Sequence, residues 1–459
     1  MIVPLRKNGE DCGVIAVFRR GKPAAELVHR GLFALQHRGQ EAAGIATWGP
    51  TGEIHSLKGR GLVSDALPTY RVGALPGELA IGHVRYSTVT VDKSENIQPF
   101  IAMTPFGRFA VGHNGNIKNA DELQHELEAR GSLMSTTMDT ELMVHLMARS
   151  EAHTLADALK FMAGRAIGSF SLTMLCDGRA YALRDAYGVR PLVLGETSDG
   201  YVMASETCAL TALGATYQGE VKPGELIEMT PEGFKRTELL KPATGGSCVF
   251  ELVYFARPDS EVFGQGVQGA RKRMGEELAR QDQREGLTLG PAVVVPIPDS
   301  GVPAAVGYAK ESGLPIDMAI IRSHYVGRTF ILPDHDSRTH GIRMKLSVVK
   351  DAVEGRRVIL VDDSIVRGNT SRKIVQMIRE AGAKEVWMRI ASPPLAWPCY
   401  LGIDTPTREE FIINREGSPE AVQKSIGVNN LRYLTVDGLK TATGNRPFCF
   451  GCMTGKYPV

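Results

Sequence analysis

Two adjacent carboxylates stand where an apolar run of this chain ends. Residues 358–361 read Val-Ile-Leu-Val, and Asp362 and Asp363 follow directly. Such a continuous apolar sequence is typical of a buried parallel strand, and ligands of open α/β sheets bind beyond the carboxyl ends of their strands. The next residues, 367–371, read Arg-Gly-Asn-Thr-Ser before a helical pattern, where backbone N–H groups can hold a phosphate. The pattern indicates ribose hydroxyls or Mg²⁺ as ligands, although paired acids are also common as helix caps.

A cysteine near the beginning of the chain is a candidate nucleophile. Cys12 follows the polar segment 1–11 and precedes a predicted strand at 13–18. If segment 1–11 is a leader that is removed, Cys12 carries a thiol and a free α-amine. The ordinary pKa of that amine, about 7.7 to 8.0, suits a general base. Taken by itself, a cysteine at the start of a strand is usually an ordinary buried thiol.

Four polar groups follow Cys12 in chain order, at residues 37–41, 83–88, 113–116 and 139–141. Read together with Cys12, they resemble the N-terminal-nucleophile glutamine amidotransferases. In that family the cysteine attacks the glutamine carboxamide, forms a thioester and releases ammonia. The resemblance implies the same chemistry for Cys12.

The resemblance also implies roles for the residues that match the motifs of the family. Arg85 would pair with the glutamine α-carboxylate and Asp139 with its α-ammonium group. The Asn114 side chain and the Gly115 backbone N–H would form the oxyanion hole. Taken singly, these residues are typical of a surface ion pair, a helix cap and a hairpin turn. Met138 departs from the motif, which has a small hydroxyl residue before Asp-Thr-Glu.

Residues 358–371 resemble the phosphoribosylpyrophosphate (PRPP) signature of type I phosphoribosyltransferases. The resemblance implies that Asp362 and Asp363 contact the ribose. The 5′-phosphate loop that it implies consists of Arg367, Gly368, Asn369, Thr370 and Ser371.

Three further segments match the same family, namely 297–301 as a pyrophosphate loop, 325–330 as a flap and 343–346. They imply that Asp299 and Ser300 bind PRPP. Arg328 and Lys345 would offset the pyrophosphate charge, although a solvated surface position is the ordinary state of both residue types. The positions implied for Mg²⁺ are Ser300, Asp362 and Asp363.

Four of the seven cysteines are candidate metal ligands: Cys248, Cys399, Cys449 and Cys452. Four soft ligands suit either a structural zinc ion or an iron–sulfur cluster. The Cys-x-x-Cys pair near the C-terminus is by itself ambiguous among zinc, redox chemistry and chance. Cys176 and Cys208 are interpreted as buried thiols.

The elements that must position these residues follow two different patterns. Between residues 13 and 244, short apolar segments alternate with Gly-rich turns, and helical periodicity is clear at 24–36 and 140–148. This predicts a layered α+β domain with antiparallel sheets. The C-terminal half alternates strand and helix, which predicts a parallel, doubly wound sheet. Its predicted elements are 292–297, 304–310, 318–321, 358–361, 371–380 and 386–390.

The small-residue stretch 242–247 marks the boundary between the two patterns. A G-x-G-x-x-G pattern at Gly264, Gly266 and Gly269 is interpreted as a loop, because no strand leads directly into it.

Together, the halves resemble the amidophosphoribosyltransferase family over nearly the entire chain. The resemblance implies an N-terminal-nucleophile hydrolase domain followed by a type I phosphoribosyltransferase domain. It also implies a [4Fe–4S] cluster on the four cysteines, since one branch of the family carries these ligands and a leader, and a homotetramer inhibited by purine nucleotides. The predicted divisions are a leader at 1–11, a glutaminase domain at 12–244, a phosphoribosyltransferase domain at 245–420 and an extension at 421–459.

Composition favours small-molecule partners over nucleic acid or membranes. The 53 basic and 51 acidic residues are interleaved and give a net charge of only +2, without a basic footprint. No apolar run approaches the roughly 20 residues of a membrane span, and we expect a cytoplasmic protein. Two alternatives remain: another N-terminal-cysteine amidotransferase with a sugar-isomerase-like second half, or a PRPP-binding regulator with an inactive glutaminase.

Overall fold

The structure is a computed structural model that describes residues 12–86, 94–323, 346–403, 405 and 407–459. Two antiparallel sheets with flanking helices make up the N-terminal half. Its elements in chain order are β1 (Cys12–Arg19), α1 (Ala25–Ala34), β2 (Ala42–Trp48), β3 (Ile54–Arg60), α2 (Val63–Ala66), α3 (Thr69–Val72), β4 (Leu79–Arg85), β5 (Phe100–Thr104), β6 (Gly107–Ile117), α4 (Ala120–Ala129), α5 (Asp139–Ala148), α6 (Leu155–Arg165), β7 (Gly168–Cys176), β8 (Arg179–Arg184), β9 (Val193–Thr197), β10 (Gly200–Ala204), α7 (Thr207–Ala212), β11 (Thr216–Glu220), β12 (Glu225–Thr230) and β13 (Gly233–Glu238).

Strand β1 lies in the interior of this half. The strand orders are β11-β9-β10-β1-β4-β2-β3 in one sheet and β13-β12-β8-β7-β6-β5 in the other. One face of β1, with Ile15 and Val17, packs with Leu32 of α1, and the other face, with Val14 and Ala16, packs between the two sheets. Because both faces are covered, the strand is apolar throughout instead of alternating. The expected layered α+β fold is confirmed.

A parallel sheet organises the C-terminal half, as expected, with the strand order β16 (Ala292–Pro296), β19 (Arg357–Asp362), β20 (Glu385–Ile390) and β21 (Asn430–Tyr433). Helices cover both of its faces: α8 (Val267–Arg284) and α9 (Val302–Ser312) lie on one, and α11 (Asn369–Glu380) and α13 (Pro419–Ile426) on the other. The elements of this half are β14 (Glu261–Val262), β15 (Gln265–Gly266), α8 (Val267–Arg284), β16 (Ala292–Pro296), α9 (Val302–Ser312), β17 (Ile320–Arg322), β18 (Leu346–Val348), α10 (Lys350–Val353), β19 (Arg357–Asp362), α11 (Asn369–Glu380), β20 (Glu385–Ile390), α12 (Ile412–Glu416), α13 (Pro419–Ile426), β21 (Asn430–Tyr433), α14 (Val436–Ala442) and α15 (Gly451–Thr454).

Two segments of this half differ from the sequence-based expectation. The strand predicted at 318–321 is not part of the parallel sheet, because β17 pairs antiparallel with β18 in a separate two-stranded sheet. Met318 and Ile321 are half exposed there, so the segment lacks the two-sided burial of a central strand. Segment 421–459, predicted as an extension, supplies β21 as the edge strand of the parallel sheet.

The glycine-rich pattern, interpreted as a loop, begins in a hairpin turn at Gly264, whereas Gly266 lies in β15 and Gly269 in the first turn of α8. Among the described residues, no helix has the length and apolarity needed to cross a bilayer.

A buried ionic cluster joins the two halves. Glu251 begins the π-helix Glu251–Phe255, and its carboxylate accepts from Arg38 Nη2 at 2.6 Å and from Arg190 Nη1 at 3.0 Å. Arg38 also pairs with Glu206, and all four side chains are fully buried. Removing one partner from such a pair typically costs about 3 to 5 kcal/mol. The cluster therefore fixes the π-helix against the N-terminal half.

Candidate active sites

Cys12, the candidate nucleophile, is the first residue of β1. Cys12 is fully buried and is the register partner of Arg85 on β4. The Arg85 Nη1 donates to the Asn96 carbonyl oxygen at 3.3 Å. Antiparallel pairing of β1 with β4 therefore brings together the predicted nucleophile and the arginine predicted to bind the α-carboxylate.

The predicted oxyanion residues lie on β6 of the facing sheet. Asn114 is fully buried, and neither its Oδ1 nor its Nδ2 has a hydrogen-bond partner within the described part of the chain. Burying an unpaired amide is costly, so this group is suited to receive a ligand atom. Gly115 has a φ of +156°, and a Cβ there would lie 2.1 Å from the Ser169 carbonyl oxygen. Only glycine fits at this position.

The carboxylate predicted to bind the α-ammonium group begins helix α5. Asp139 Oδ2 accepts from the Ile117 N–H at 2.9 Å, and Oδ1 lies 3.2 Å from His113 Nδ1. Burial pushes the pKa of Asp139 upward, but the neighbouring imidazole and the hydrogen bonds outweigh it and hold the pKa below its ordinary value. Asp139 is therefore ionised at neutral pH.

Two histidines support this region, and the sequence analysis gave neither of them a role. His83 Nε2 lies 3.1 Å from the His113 carbonyl oxygen, which links β4 to β6 behind the site. Burial lowers the pKa of His83 to about 3, so its imidazole is neutral. The only sequence signal for them was their position within the polar groups at 83–88 and 113–116.

Met138 leaves the adjacent carboxylate in place. It lies at the N-cap of α5 and makes no side-chain capping bond. The Glu141 carboxylate instead binds the backbone N–H and hydroxyl groups of Ser135 and Thr136 at 2.7 to 2.9 Å. The loop before α5 is thus ordered by Glu141.

The paired acids lie at the carboxyl end of β19, as predicted. The Asp363 N–H donates to Asp362 Oδ1 at 3.0 Å, and the Ser364 hydroxyl donates to Asp363 Oδ1 at 2.5 Å. The Ser300 side chain faces the Asp363 carboxylate and stabilises its ionised form. Burial raises the pKa of both acids, and the charge of Asp363 raises that of Asp362 further. The pair resists full ionisation until a cation or hydrogen-bond donors arrive.

The buried Arg271 of α8 was not assigned a role from the sequence. Its charge acts on Asp363, and its guanidinium donates to the carbonyl oxygens of Leu252 and Ala256 at 2.9 and 2.8 Å. It therefore connects the acids to the π-helix at the junction.

The two predicted phosphate loops lie beside these acids. Because β16 and β19 are neighbours, the loop 297–301 reaches the same sheet edge, and a Cβ on Gly301 would lie 2.5 Å from the Val361 carbonyl oxygen. Gly368 has a φ of +78° and precedes α11, whose first three residues are Asn369, Thr370 and Ser371.

Two predicted PRPP ligands are engaged in ion pairs. Arg367 Nη2 lies 3.0 Å from Glu410 Oε1, and Asp299 pairs with Arg322. Arg328 and Lys345 lie outside the described residues.

The four candidate metal ligands converge at the junction of the halves. Cys248 forms a parallel bridge with Cys449, and the Cys452 carbonyl oxygen accepts from the Trp397 N–H at 3.1 Å. Burial and the charges of the other three thiols raise the pKa of Cys452. Backbone N–H groups donate to Cys399 Sγ at 3.3 Å and to Cys449 Sγ at 3.4 Å. The part of the chain that the structure describes holds no group of three His, Cys, Asp or Glu side chains disposed around one ion.

Two domain families match this chain. The glutamine amidotransferase domain matches residues 83–212, and the phosphoribosyl transferase domain matches residues 268–391. The second match excludes a sugar-isomerase-like C-terminal half.

Full-length relatives and solved structures give the same picture. Amidophosphoribosyltransferase 1, chloroplastic, of Arabidopsis thaliana is 46% identical over 99% of this chain and 79% of the relative. The amidophosphoribosyltransferase of Bacillus subtilis strain 168 is 42% identical over 100% of this chain and 96% of the relative. The crystallised glutamine PRPP amidotransferase of B. subtilis, complexed with ADP and GMP, superposes with a TM-score of 0.90 at 42% identity and covers 97% of both chains. The chain therefore belongs to the amidophosphoribosyltransferase family, as its sequence resemblance implied.

Proposed function

We propose that this enzyme converts glutamine, PRPP and water into 5-phosphoribosylamine, glutamate and pyrophosphate, which is the first step of purine synthesis. The observation that carries the proposal is the unpartnered, fully buried Asn114 amide beside the strands of Cys12 and Arg85. An inactive glutaminase has no reason to retain a buried donor that nothing satisfies. The paired acids at the end of β19 support PRPP as the acceptor.

At the donor site, the Cys12 sulfur attacks the carboxamide carbon of glutamine. After removal of the leader 1–11, the α-amine of Cys12 takes the thiol proton and passes it to the departing ammonia. The Asn114 Nδ2–H and the Gly115 N–H donate to the oxyanion, while Arg85 and Asp139 hold the amino-acid end of the substrate. Water then cleaves the thioester and releases glutamate.

At the acceptor site, the anomeric C–O bond of PRPP breaks and pyrophosphate departs with the bonding electrons. Ammonia attacks the opposite face, loses a proton and becomes the amine of the product. The proposed PRPP ligands are Asp299, Ser300, Arg328, Lys345, Asp362, Asp363, Arg367, Gly368, Asn369, Thr370 and Ser371.

The acid pair fits Mg²⁺. Its oxygens are hard ligands, and the raised pKa values show that its negative charge lacks full compensation in the protein alone. We assign Mg²⁺ to Ser300, Asp362 and Asp363. Bound there, the ion would neutralise charge on the departing pyrophosphate.

The four cysteines fit a [4Fe–4S] cluster with a structural role. Their thiols influence one another electrostatically, and N–H donors to Cys399 and Cys449 favour the thiolates that a cluster requires. Near-stoichiometric iron and acid-labile sulfide after anaerobic purification would support the cluster; stoichiometric zinc would contradict it.

Three further properties are part of the proposal. Intact mass spectrometry should show a chain that begins at Cys12 if the leader is removed. Purine nucleotides are proposed as feedback inhibitors, supported by the ADP and GMP bound to the B. subtilis structure. We also propose a homotetramer in the cytoplasm, and native mass spectrometry measures the assembly.

Replacing the nucleophile tests whether the N-terminal half produces ammonia and the C-terminal half uses it. The Cys12→Ala variant should lose glutamine-dependent synthesis of phosphoribosylamine but retain the reaction with free ammonia, because the acceptor site is untouched. The buried thiol of Cys176 offers a matched control, and Cys176→Ala should keep both activities. Equal loss of both activities in a folded Cys12→Ala protein would overturn the assignment.

A further inference from the structure

A loop of the C-terminal half lies directly against the oxyanion strand of the glutaminase half. The Asn116 Nδ2 donates to the Tyr400 carbonyl oxygen at 3.0 Å, and the Ser169 hydroxyl donates to the Leu401 carbonyl oxygen at 2.9 Å. Asn116 and Ser169 are register partners on β6 and β7. Loop residues 400–402 therefore bind two neighbouring strands at the level of the oxyanion residues.

The contact is closest at Gly402. A Cβ built on this residue, whose φ is +92°, would lie 2.9 Å from the carbonyl carbon of Gly115 and 3.0 Å from its Cα. The Gly402 carbonyl oxygen accepts from the fully buried Arg190, which also donates to Glu251 at 3.0 Å. The loop is thus held from behind by the ionic cluster that joins the halves.

Gly115 is confined on two sides. A Cβ on Gly115 would lie 2.1 Å from the Ser169 carbonyl oxygen, and the Gly402 backbone covers another side of the residue. These contacts restrict the Gly115 Cα and the peptide unit that follows it, and the Cα is shared with the peptide unit that carries the Gly115 N–H. Oxyanion donors act over a narrow range of distances, and a misplacement of about 1 Å can reduce a rate by roughly 100-fold.

We propose that loop 400–402 is a positioning element of the glutaminase site, with Gly402 and Asn116 as positioning residues. The phosphoribosyltransferase half then supplies the back wall of the oxyanion hole. This inference rests on the proposed function of Asn114 and Gly115.

A matched pair of glycine substitutions tests it. Gly402→Ala brings a methyl group against Gly115, whereas Gly417→Ala has a similar φ of +87° and no atom within 4 Å of the new methyl group. Both substitutions impose left-handed strain on alanine, but only the first should disturb the oxyanion hole. We expect kcat with glutamine to fall at least tenfold in Gly402→Ala, with little change in KM for glutamine, and to be unchanged in Gly417→Ala.

Three readouts on the Gly402→Ala protein separate positioning from general damage. Ammonia-dependent synthesis, iron content and the rate of Cys12 alkylation by iodoacetamide should all match the wild type, because none of them uses the oxyanion hole. A parallel loss of ammonia-dependent synthesis, or a rise in KM without a fall in kcat, would contradict the proposal.

A second variant avoids the steric change. Asn116→Ala removes only the hydrogen bond to the Tyr400 carbonyl oxygen and should lower kcat with glutamine by a few-fold, again without loss of ammonia-dependent synthesis. If both Gly402→Ala and Asn116→Ala keep the wild-type kcat, the loop does not position the site. If the proposed function itself is wrong, the wild-type protein shows no glutaminase activity, and this result differs from a failure of the positioning proposal alone.

Discussion

The proposed donor and acceptor sites are built on different parts of their sheets. Cys12, Arg85 and Asn114 lie within strands and are almost fully buried. Asp299 and Arg367 lie in loops beyond strand ends, and their side chains are 57% and 48% exposed. Strand pairing thus fixes the donor residues, whereas the acceptor site combines the buried acids at the end of β19 with exposed loops whose charged side chains form ion pairs.

This difference follows from the two substrates. Glutamine is small, and its thioester must be shielded from premature hydrolysis, which favours a dry site within two packed sheets. PRPP is large and highly charged, and admission of such a ligand requires exposed loops that rearrange around it. The donor site accordingly keeps an unpaired amide, while Asp299 and Arg367 of the acceptor site are engaged in ion pairs.

The largest effect should come from the amide that the donor site holds unpaired. Asn114→Ala removes one oxyanion donor, and such a loss typically lowers kcat about 100- to 1,000-fold. We expect this fall in steady-state glutaminase assays, with ammonia-dependent synthesis unchanged. Asn119, which follows β6 and binds the Arg165 carbonyl oxygen, provides the control, and Asn119→Ala should keep the wild-type kcat. If Asn114→Ala keeps the wild-type kcat, Asn114 is not an oxyanion donor.

A smaller effect is expected where an ion pair engages a predicted PRPP ligand. Glu410→Gln releases Arg367 while a glutamine can still cap the turn that begins at Thr407. An exposed ion pair contributes about 0.2 to 1 kcal/mol, which PRPP must overcome to bind Arg367. Loss of the pair should therefore lower KM for PRPP by up to roughly five-fold. Glu354→Gln, at the exposed pair with Lys350, should leave this KM unchanged. An increase in KM in Glu410→Gln would show that the carboxylate itself supports binding.

The contrast between the sites also governs what the sequence could predict. The strand before Asp362 was predicted within one residue, because two-sided burial leaves a continuous apolar run. Strand β6 is harder to recognise in the sequence, because it extends from Gly107 through Ile117 and the polar residues His113, Asn114 and Asn116 interrupt its apolar pattern. The residues proposed to form the oxyanion hole thus obscure the pattern of the strand on which they lie.

Long-range contacts were beyond the reach of sequence patterns. The pairing of Cys12 with Arg85, the ionic cluster at Glu251 and the approach of Gly402 to Gly115 join residues that are distant in the chain. No periodicity or spacing encodes such contacts, because they depend on how complete layers pack. The short edge strand β21 was missed for a related reason, since only two of its four residues are buried.

The smallest effect should appear in the melting temperature of the unliganded protein, through the acid pair of the acceptor site. Burial and the charge of Asp363 raise the pKa of Asp362 in the folded protein above its unfolded value of about 3.9. A raised pKa favours the protonated folded form, so its stabilisation is present below the unfolded pKa and is lost as pH rises through the folded pKa. The side chain introduced by Asp362→Asn cannot ionise, so this variant should have a higher melting temperature than the wild type at neutral pH in the presence of a chelator. The difference should shrink toward pH 4.

Addition of Mg²⁺ with PRPP should make the wild type the more stable of the two proteins, because the ionised pair then gains its cation. If the difference in melting temperature between the two proteins stays constant from pH 4 to 8, the acid pair carries no uncompensated charge. The donor and acceptor sites would then differ only in the exposure of their residues.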